Sequence, residues 1–294
     1  MNRKIDAATR MIGLLGHPVG HSLSSLFMNH AIMKLGINAR YLTFDVTPED
    51  LGVAVEGVRA LGFLGTNVTI PHKTRVIARL NRIEEDARRI GAVNCIYRDE
   101  DLLIGANTDH AGFINPLKKR GISLQRLDAL LLGCGGAARA VVYTLLNEGV
   151  GTIHIVNRTR EKAAALTEWC RGQFPESSCS YVGESSRLSQ AIVDGCSLIV
   201  NTTPVGMLPN TGACPLPDSI EIGEGQVVYD LIYNPMETKL LARARRSGAV
   251  PINGLEMLIF QGVFSLLRWF PGRREEILSL ESTLLELTKR SLES

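Results

Sequence analysis

The sequence predicts a two-domain α/β protein, and three observations carry that expectation. Short β-rich runs alternate with helical patterns along the chain, and a second such series opens near residue 129 on a glycine-rich turn. The chain is also 294 residues long, about twice the length of a common single domain. Composition fits a folded protein, because 45% hydrophobic and 21% charged residues lie close to the globular average. Charge nearly cancels, with 32 Lys plus Arg against 30 Asp plus Glu. That balance argues against a polybasic nucleic-acid binder and leaves room for a local basic site on a small phosphate.

The first series reads as strands over 11–16, 41–46 and 65–70, with helices over 24–35 and 48–61. Leu51, Val55 and Val58 recur at helical spacing in the second helix, which starts with Thr47 as N-cap, Pro48 in the first turn and acids at 49 and 50. Strand, helix, strand in this rhythm implies a largely parallel sheet. The second series supplies strands over 129–133, 152–157, 198–203 and 227–232, and helices over 135–148 and on through Trp169. A boundary falls near 110–125, where Lys118-Lys-Arg-Gly121 ends a helix. The last forty residues are helical again, with Leu278 and Leu285 on an apolar stripe. No repeat or long linker separates the parts, so closely apposed domains are expected.

The six cysteines, at 95, 134, 170, 179, 196 and 214, contain no C-x-x-C, and no apolar leader follows the N-terminal basic residues. Both features favour reduced thiols in a cytoplasmic protein. The apolar stretch over 255–270 is interrupted by Glu256, Gln261 and Arg268, whereas a bilayer span needs ~20 mostly apolar residues. It reads as a buried helix.

The sharpest local signal is Leu130-Leu-Leu-Gly-Cys-Gly-Gly-Ala-Ala-Arg139. Gly133 and Gly135, with Ala138 in the third small position, stand between an apolar strand and a helix. The small residues permit a tight turn, backbone access to a pyrophosphate and close packing of helix on strand. Amides at the helix start then receive phosphate charge. A dinucleotide with a free ribose 2′-hydroxyl calls for an acid at the end of the second strand. This chain has Asn157-Arg158-Thr159-Arg160 instead, and Arg158 suits a 2′-phosphate, so NADP(H) is expected rather than NAD.

The first half carries polar residues that structure alone does not require. His21-Ser-Leu-Ser24 follows a strand and opens a helix; two hydroxyls with helix amides suit a carboxylate, while Ser22 or Ser24 as a plain N-cap is an equal alternative on spacing. Asn67-Val-Thr-Ile-Pro-His-Lys73 alternates polar residues along a strand and places a lysine just past its end. Asn94 ends one segment and Asn107-Thr-Asp109 another, with Asp109 open to a second role as N-cap of the next helix. One amine, one acid, amides and hydroxyls together suit a polyhydroxylated carboxylic acid. Other chemistries lack their motifs: the chain has no H-E-x-x-H, no zinc-type cysteine spacing, no phosphate loop of the G-x-x-x-x-G-K-[ST] kind and no G-x-S-x-G elbow. No metal is expected.

Taken together, these motifs resemble the shikimate dehydrogenase family. The likeness runs from Gly16-His-Pro-Val-Gly-His-Ser-Leu-Ser24 to Gly254-Leu-Glu-Met-Leu-Ile-Phe-Gln-Gly262, through NVTIPHK (67–73), GAVN (91–94), NTDHAGF (107–113), GCGGAARA (133–140), NRT (157–159), NTTPVGM (201–207) and DLIYNP (230–235). The resemblance implies a substrate domain over 1–110 plus 255–294, a Rossmann-type NADP-binding domain over 111–254 and an active site in the cleft. It implies reversible NADPH-dependent reduction of 3-dehydroshikimate to shikimate, a step of aromatic amino-acid (chorismate) biosynthesis. Lys73 and Asp109 would form the catalytic pair. Ser22, Ser24 and Tyr233 would hold the substrate carboxylate, and Thr69, Asn94 and Gln261 its hydroxyls. The cofactor would touch Gly133, Cys134, Gly135, Gly136 and Ala137, then Asn157, Arg158, Thr159, Arg160 and Lys162, and also Leu231 and Gly254, with Glu85 a weaker candidate. Partners would be small molecules, without nucleic acid or membrane, and a homodimer is compatible with the pattern. Two departures stand out: Ser25 where the family usually has Pro, and Met28 where a His is common. The alternatives are a quinate or dual quinate/shikimate dehydrogenase and a non-catalytic NADP-dependent sensor.

Overall fold

In the computed structural model, which describes residues 5–20 and 22–293, the chain divides into two compact units, Met1–Gly112 with Leu258–Ser294, and Phe113–Met257. His21 of the Ser22/Ser24 motif lies outside the described residues.

The first unit is built on a six-stranded sheet. In chain order its elements are β1 (Arg10–Gly16), α1 (Ser24–Lys34), β2 (Ala39–Asp45), α2 (Leu51–Ala60), β3 (Gly65–Val68), β4 (Arg82–Ile83), α3 (Glu85–Ile90), β5 (Cys95–Asp99) and β6 (Leu102–Ala106). Helix α4 (Asp109–Lys119) leads out of it. The strand order is β2-β1-β3-β5-β6-β4. β5 alone among the described strands runs against its neighbours, pairing antiparallel with both β3 and β6. The remaining pairings are parallel, as strand–helix–strand alternation predicts.

The second unit contains β7 (Asp128–Leu132), α5 (Gly136–Asn147), β8 (Thr152–Val156), α6 (Arg160–Gln173), β9 (Ser178–Gly183), α7 (Gln190–Asp194), β10 (Leu198–Asn201), β11 (Val227–Asp230), α8 (Lys239–Arg246) and β12 (Val250–Ile252). Its order is β12-β11-β10-β7-β8-β9, parallel throughout. Strand order therefore reverses between β7 and β10, and such a switch point opens a crevice beyond the strand ends. Helix α9 (Leu255–Trp269) then carries the chain back, and α10 (Arg274–Ser279) and α11 (Glu281–Glu293) complete the first unit.

The uninterrupted Leu130-Leu-Leu run reflects a strand buried on both faces. Ala129 and Leu131 enter one core with Val141, Leu145 and Leu166, while Leu130 and Leu132 enter the other with Leu240, Leu241 and Ala244. The first sheet repeats the logic. Ile12 and Leu14 pack with Phe27 of α1 and with Ile259, Val263 and Leu266 of α9, whereas Leu15 packs with Leu51, Val55 and Val58 of α2. Each fully buried side chain of this kind is worth roughly 1.5–3 kcal/mol of transfer free energy.

Several local expectations change. Helix α2 begins at Leu51 behind Asp50, and Thr47 does not cap it; the Thr47 hydroxyl donates to Asp50 Oδ2 at 2.9 Å, closing a turn that delays the helix. The terminal apolar stripe is rotated from the sequence reading: Ile277 and Leu284 are buried, while Leu278 is exposed. Met28, which departs from the family pattern, is wholly buried in the first core.

Candidate active site

The first unit brings an amine and a carboxylate together in a nearly dry setting. Lys73 lies just past β3, and its carbonyl accepts from Val93 N at 2.7 Å, which ties it to the 91–94 segment. Asp109 opens α4. Its backbone amide and that of His110 both donate to Asn107 Oδ1, at 3.0 and 3.4 Å. Asn107 thus caps the helix, which removes the N-cap alternative for Asp109 and leaves its carboxylate for other work. That carboxylate receives Lys73 Nζ on Oδ2 at 2.5 Å and Asn94 Nδ2 on Oδ1 at 2.8 Å. Side-chain exposure is 15% for Lys73 and 7% for Asp109. A charged contact so shielded from water is both stronger and more directional than a surface pair.

Asn94 is oriented in its turn. Its Oδ1 accepts the Thr108 amide at 2.6 Å, which fixes Nδ2 toward Asp109 and Thr108 Oγ1. Gln261 Oε1 stands 3.4 Å from the same Nδ2, and Gln261 Nε2 donates to Leu258 O. Behind this layer Asn67 Nδ2 donates to Ser265 Oγ at 2.8 Å and to Asn94 O at 3.1 Å, and Tyr41 OH donates to Asn67 Oδ1 at 3.0 Å. Asn67, Thr108 and Ser265 carry no role in the sequence reading. The alternation in NVTIPHK hinted at Asn67, but Ser265 reaches the site from 198 residues away and had no local signal.

Lys73, Asp109, Asn94 and Gln261 therefore meet. Ser22 and Ser24 lie at the entry to α1, where Leu23 occupies the N-cap position and its own side chain makes no capping bond. Ser22 Oγ accepts the first amide of α1, Ser24 N, at 3.3 Å, which keeps the capping alternative for Ser22, whereas Ser24 already lies inside the helix. Thr69 leaves the β3 ladder with its amide donating to Leu15 O at 2.9 Å. Its methyl lies where a Cβ on Gly16 would stand 2.3 Å away, so only glycine fits before it.

The second unit carries a different surface at its switch point. A cleft of about 440 Å³ is lined by Gly133, Cys134 and Gly135 from the β7–α5 turn, by Asn157, Arg158, Thr159 and Lys162 beyond β8, and by Ser185, Thr202, Thr203, Pro204, Val205 and Pro215. Gly133 has φ +101°, and a Cβ there would stand 2.6 Å from Thr203 Cγ2; only glycine satisfies both conditions. Gly136 faces open space, with nothing within 4 Å of a Cβ there, and a Cβ on Gly135 would meet only the Thr202 carbonyl oxygen, at 4.0 Å. Helix α5 has no side-chain cap, so its first amides and the room before them fit a pyrophosphate. Asn157 Nδ2 donates to Thr159 O at 2.7 Å, closing the turn that presents Arg158. Arg158 and Lys162 are exposed and form no ion pair among the described residues, and no acid lies among the cleft-lining side chains. Burial pushes the Cys134 thiol up to about 11, partly opposed by Lys162.

The other expected cofactor residues are placed more loosely. Gly136 and Ala137 form the first turn of α5, and Arg160 starts α6, exposed. Gly254 packs on Leu231, where a Cβ would stand 2.0 Å from the Leu231 carbonyl oxygen. Tyr233 is half-buried in the same segment, which raises its hydroxyl pKa. Glu85 belongs to the first unit and pairs with Arg88 at 2.7 Å on an exposed helix start. Ser185 and Pro215 were not legible as cleft residues, because irregular segments far along the chain carry them. Among the described residues no cluster of His, Cys, Asp and Glu is arranged to hold a metal, and no helix is long and apolar enough to cross a membrane.

A glycine-turn nucleotide unit, joined in one chain to a unit holding a buried amine–carboxylate pair, defines a dinucleotide-dependent oxidoreductase of two α/β units. Comparison with known proteins makes the class specific. Residues 14–96 match the shikimate dehydrogenase substrate binding domain, and residues 117–183 match the shikimate / quinate 5-dehydrogenase family. The chain is 43% identical to a shikimate dehydrogenase (NADP(+)) of Moorella thermoacetica, over 96% of this chain and 95% of that one. It is similar in structure to shikimate 5-dehydrogenase from Thermus thermophilus in complex with NADP(H) and shikimate, with a TM-score of 0.81 and 33% identity over 97% of this chain and 100% of that one. The enzyme from Listeria monocytogenes in complex with shikimate and NAD gives a TM-score of 0.84 and 30% identity over 95% and 99% of the two chains. The chain belongs to the shikimate dehydrogenase family.

Proposed function

We propose that this chain catalyses the reversible reduction of 3-dehydroshikimate to shikimate with NADPH, in the biosynthesis of aromatic amino acids. The observation that carries the mechanism is the shielded contact of Lys73 Nζ with Asp109 Oδ2, backed by Asn94. Nicotinamide, when bound, supplies the hydride; the protein has to align the carbonyl and handle one proton. In the reducing direction Lys73, as an ammonium, polarises the carbonyl oxygen and donates the proton that completes the new hydroxyl. Asp109 orients the amine and accepts from that hydroxyl. In the oxidising direction the pair takes the proton back. Asn94 holds Asp109 through Nδ2, and Thr69, Asn94 and Gln261 are assigned to the ring hydroxyls. Ser22, Ser24 and Tyr233 are assigned to the carboxylate. Gly133 to Ala137 cradle the pyrophosphate, Arg158 and Lys162 take the 2′-phosphate, and Asn157, Thr159, Arg160, Leu231 and Gly254 complete the cofactor set, with Glu85 at its margin.

The enzyme is read as acting in the cytoplasm on a small anionic substrate, without nucleic-acid or membrane partners, and as compatible with a homodimer. Initial rates of NADP⁺ reduction, with shikimate and quinate side by side, test the assignment. Turnover with shikimate well above that with quinate is expected. Comparable quinate turnover would make it a dual enzyme, and cofactor binding without turnover of either acid would make it a sensor.

A further inference from the structure

Asp230, at the end of β11, is a fully buried carboxylate that the chemistry above does not use. It forms no ion pair among the described residues, and its partners are three neutral donors. Oδ1 accepts Asn201 Nδ2 at 2.9 Å and Ile232 N at 3.1 Å, and Oδ2 accepts Thr238 Oγ1 at 2.7 Å. Burial raises its carboxyl pKa while these bonds lower it. A buried carboxylate is tolerated only when its acceptors are filled, and a neutral apolar residue would cost less there. The partners show what the group holds in place.

Asn201 turns its Oδ1 to Thr203 N at 3.0 Å and Thr203 Oγ1 at 2.7 Å, and Thr203 Oγ1 then accepts Val205 N at 3.2 Å. Thr203 and Val205 are a wall of the nucleotide cleft. On the other side, the bond to Ile232 N sets the backbone between Leu231 and Tyr233, and Ile232 O accepts Gly254 N at 3.0 Å. Thr238 closes that segment and accepts Leu241 N at 3.3 Å as the N-cap of α8. One carboxylate thus bridges the turn that walls the cofactor cleft and the segment that carries Tyr233.

We infer that Asp230 is a positioning residue that sets cofactor affinity and substrate affinity together, acting through Asn201 and the Ile232 amide. The inference rests on the proposed roles of Leu231 and Tyr233. Asp230→Asn keeps the shape and Oδ1 but replaces the second acceptor with a donor. In the full-length protein, the NADPH Kd, measured by fluorescence titration without shikimate, should rise about 2- to 30-fold, the range of a coupling worth ~0.5–2 kcal/mol. The KM for shikimate should rise with it, while kcat at saturation stays within about threefold. Thr238→Val should follow the same pattern, and Thr238→Ser, which keeps the hydroxyl, should stay near wild type.

A lowered melting temperature with Kd and KM unchanged would reduce Asp230 to a structural residue and overturn the inference. So would movement of only one of the two constants. Should Asp230→Asn not fold, the Thr238 variants decide: a difference between Val and Ser supports the inference, and equal behaviour overturns it. Failure of the wild type to oxidise shikimate would overturn the proposed function instead. The NADPH Kd of the variants would still test the cofactor half, and wild-type values there would overturn it.

Discussion

In the first unit the groups proposed to react are side chains that already hold one another, whereas in the second the proposed ligand surface is made of backbone, missing side chains and cations that form no ion pair among the described residues. Lys73, Asp109 and Asn94 are buried or nearly so, and each is oriented by a partner before any substrate arrives. Gly133, Gly135 and Gly136 contribute space and amides, and Arg158 stands exposed on a turn closed by Asn157. The difference follows from what each region must do. Proton transfer needs atoms fixed to within a few tenths of an ångström, while a dinucleotide brings its own charge and shape and needs a complementary mould.

If the contrast is right, the two regions should fail differently. The largest effect is expected for Lys73→Ala, which should lower kcat by ~10²–10⁴-fold, the usual worth of a positioned acid–base group, and change the KM for shikimate far less. Steady-state rates that keep kcat would remove Lys73 from the chemistry. Next, Arg158→Asp should move the ratio of kcat/KM for NADP⁺ over NAD⁺ by ~10–100-fold toward NAD⁺, since it replaces a charge-assisted contact by a repulsive one. An unmoved ratio would mean that the 2′-phosphate sits elsewhere. Asn107→Ala should cost ~0.5–2 kcal/mol through the lost cap, seen as a melting temperature lower by ~1–8 °C, with a smaller fall in kcat as Asp109 loosens.

The smallest effect concerns Cys134. Its thiol pKa, raised to about 11, leaves only about one thiolate in a thousand at pH 8. Alkylation by iodoacetamide should therefore be slow at pH 8, quicken about tenfold per pH unit up to about 11, and be blocked by NADPH. Rapid alkylation at neutral pH would show that the cradle is wetter than described.

Legibility differed between the regions for physical reasons. A strand buried on both faces, such as Leu130-Leu-Leu, announces itself, as does a turn that can be made only with glycine. Strands β4, β9 and β12 are short or polar and lie at sheet edges, so their residues carry little pattern. The reversed β5 was equally hidden, because strand direction leaves no trace in composition. In the site, Lys73 and Asp109 were legible as residue types at strand ends. The distinction between Asp109 as cap and as free carboxylate was not, because it depends on which side chain reaches the first amides of α4; Asn107 does. Ser185 and Pro215 reach the cleft by way of irregular segments, and only the fold brings them there.

The most direct test of the account is a double-mutant cycle on the first unit, with kcat measured for Lys73→Ala, Asp109→Ala and the double variant. Groups that handle one proton together should not add, so the double variant should be about as slow as the slower single one. Losses that multiply would show two independent contributions and contradict the shared role of Lys73 and Asp109.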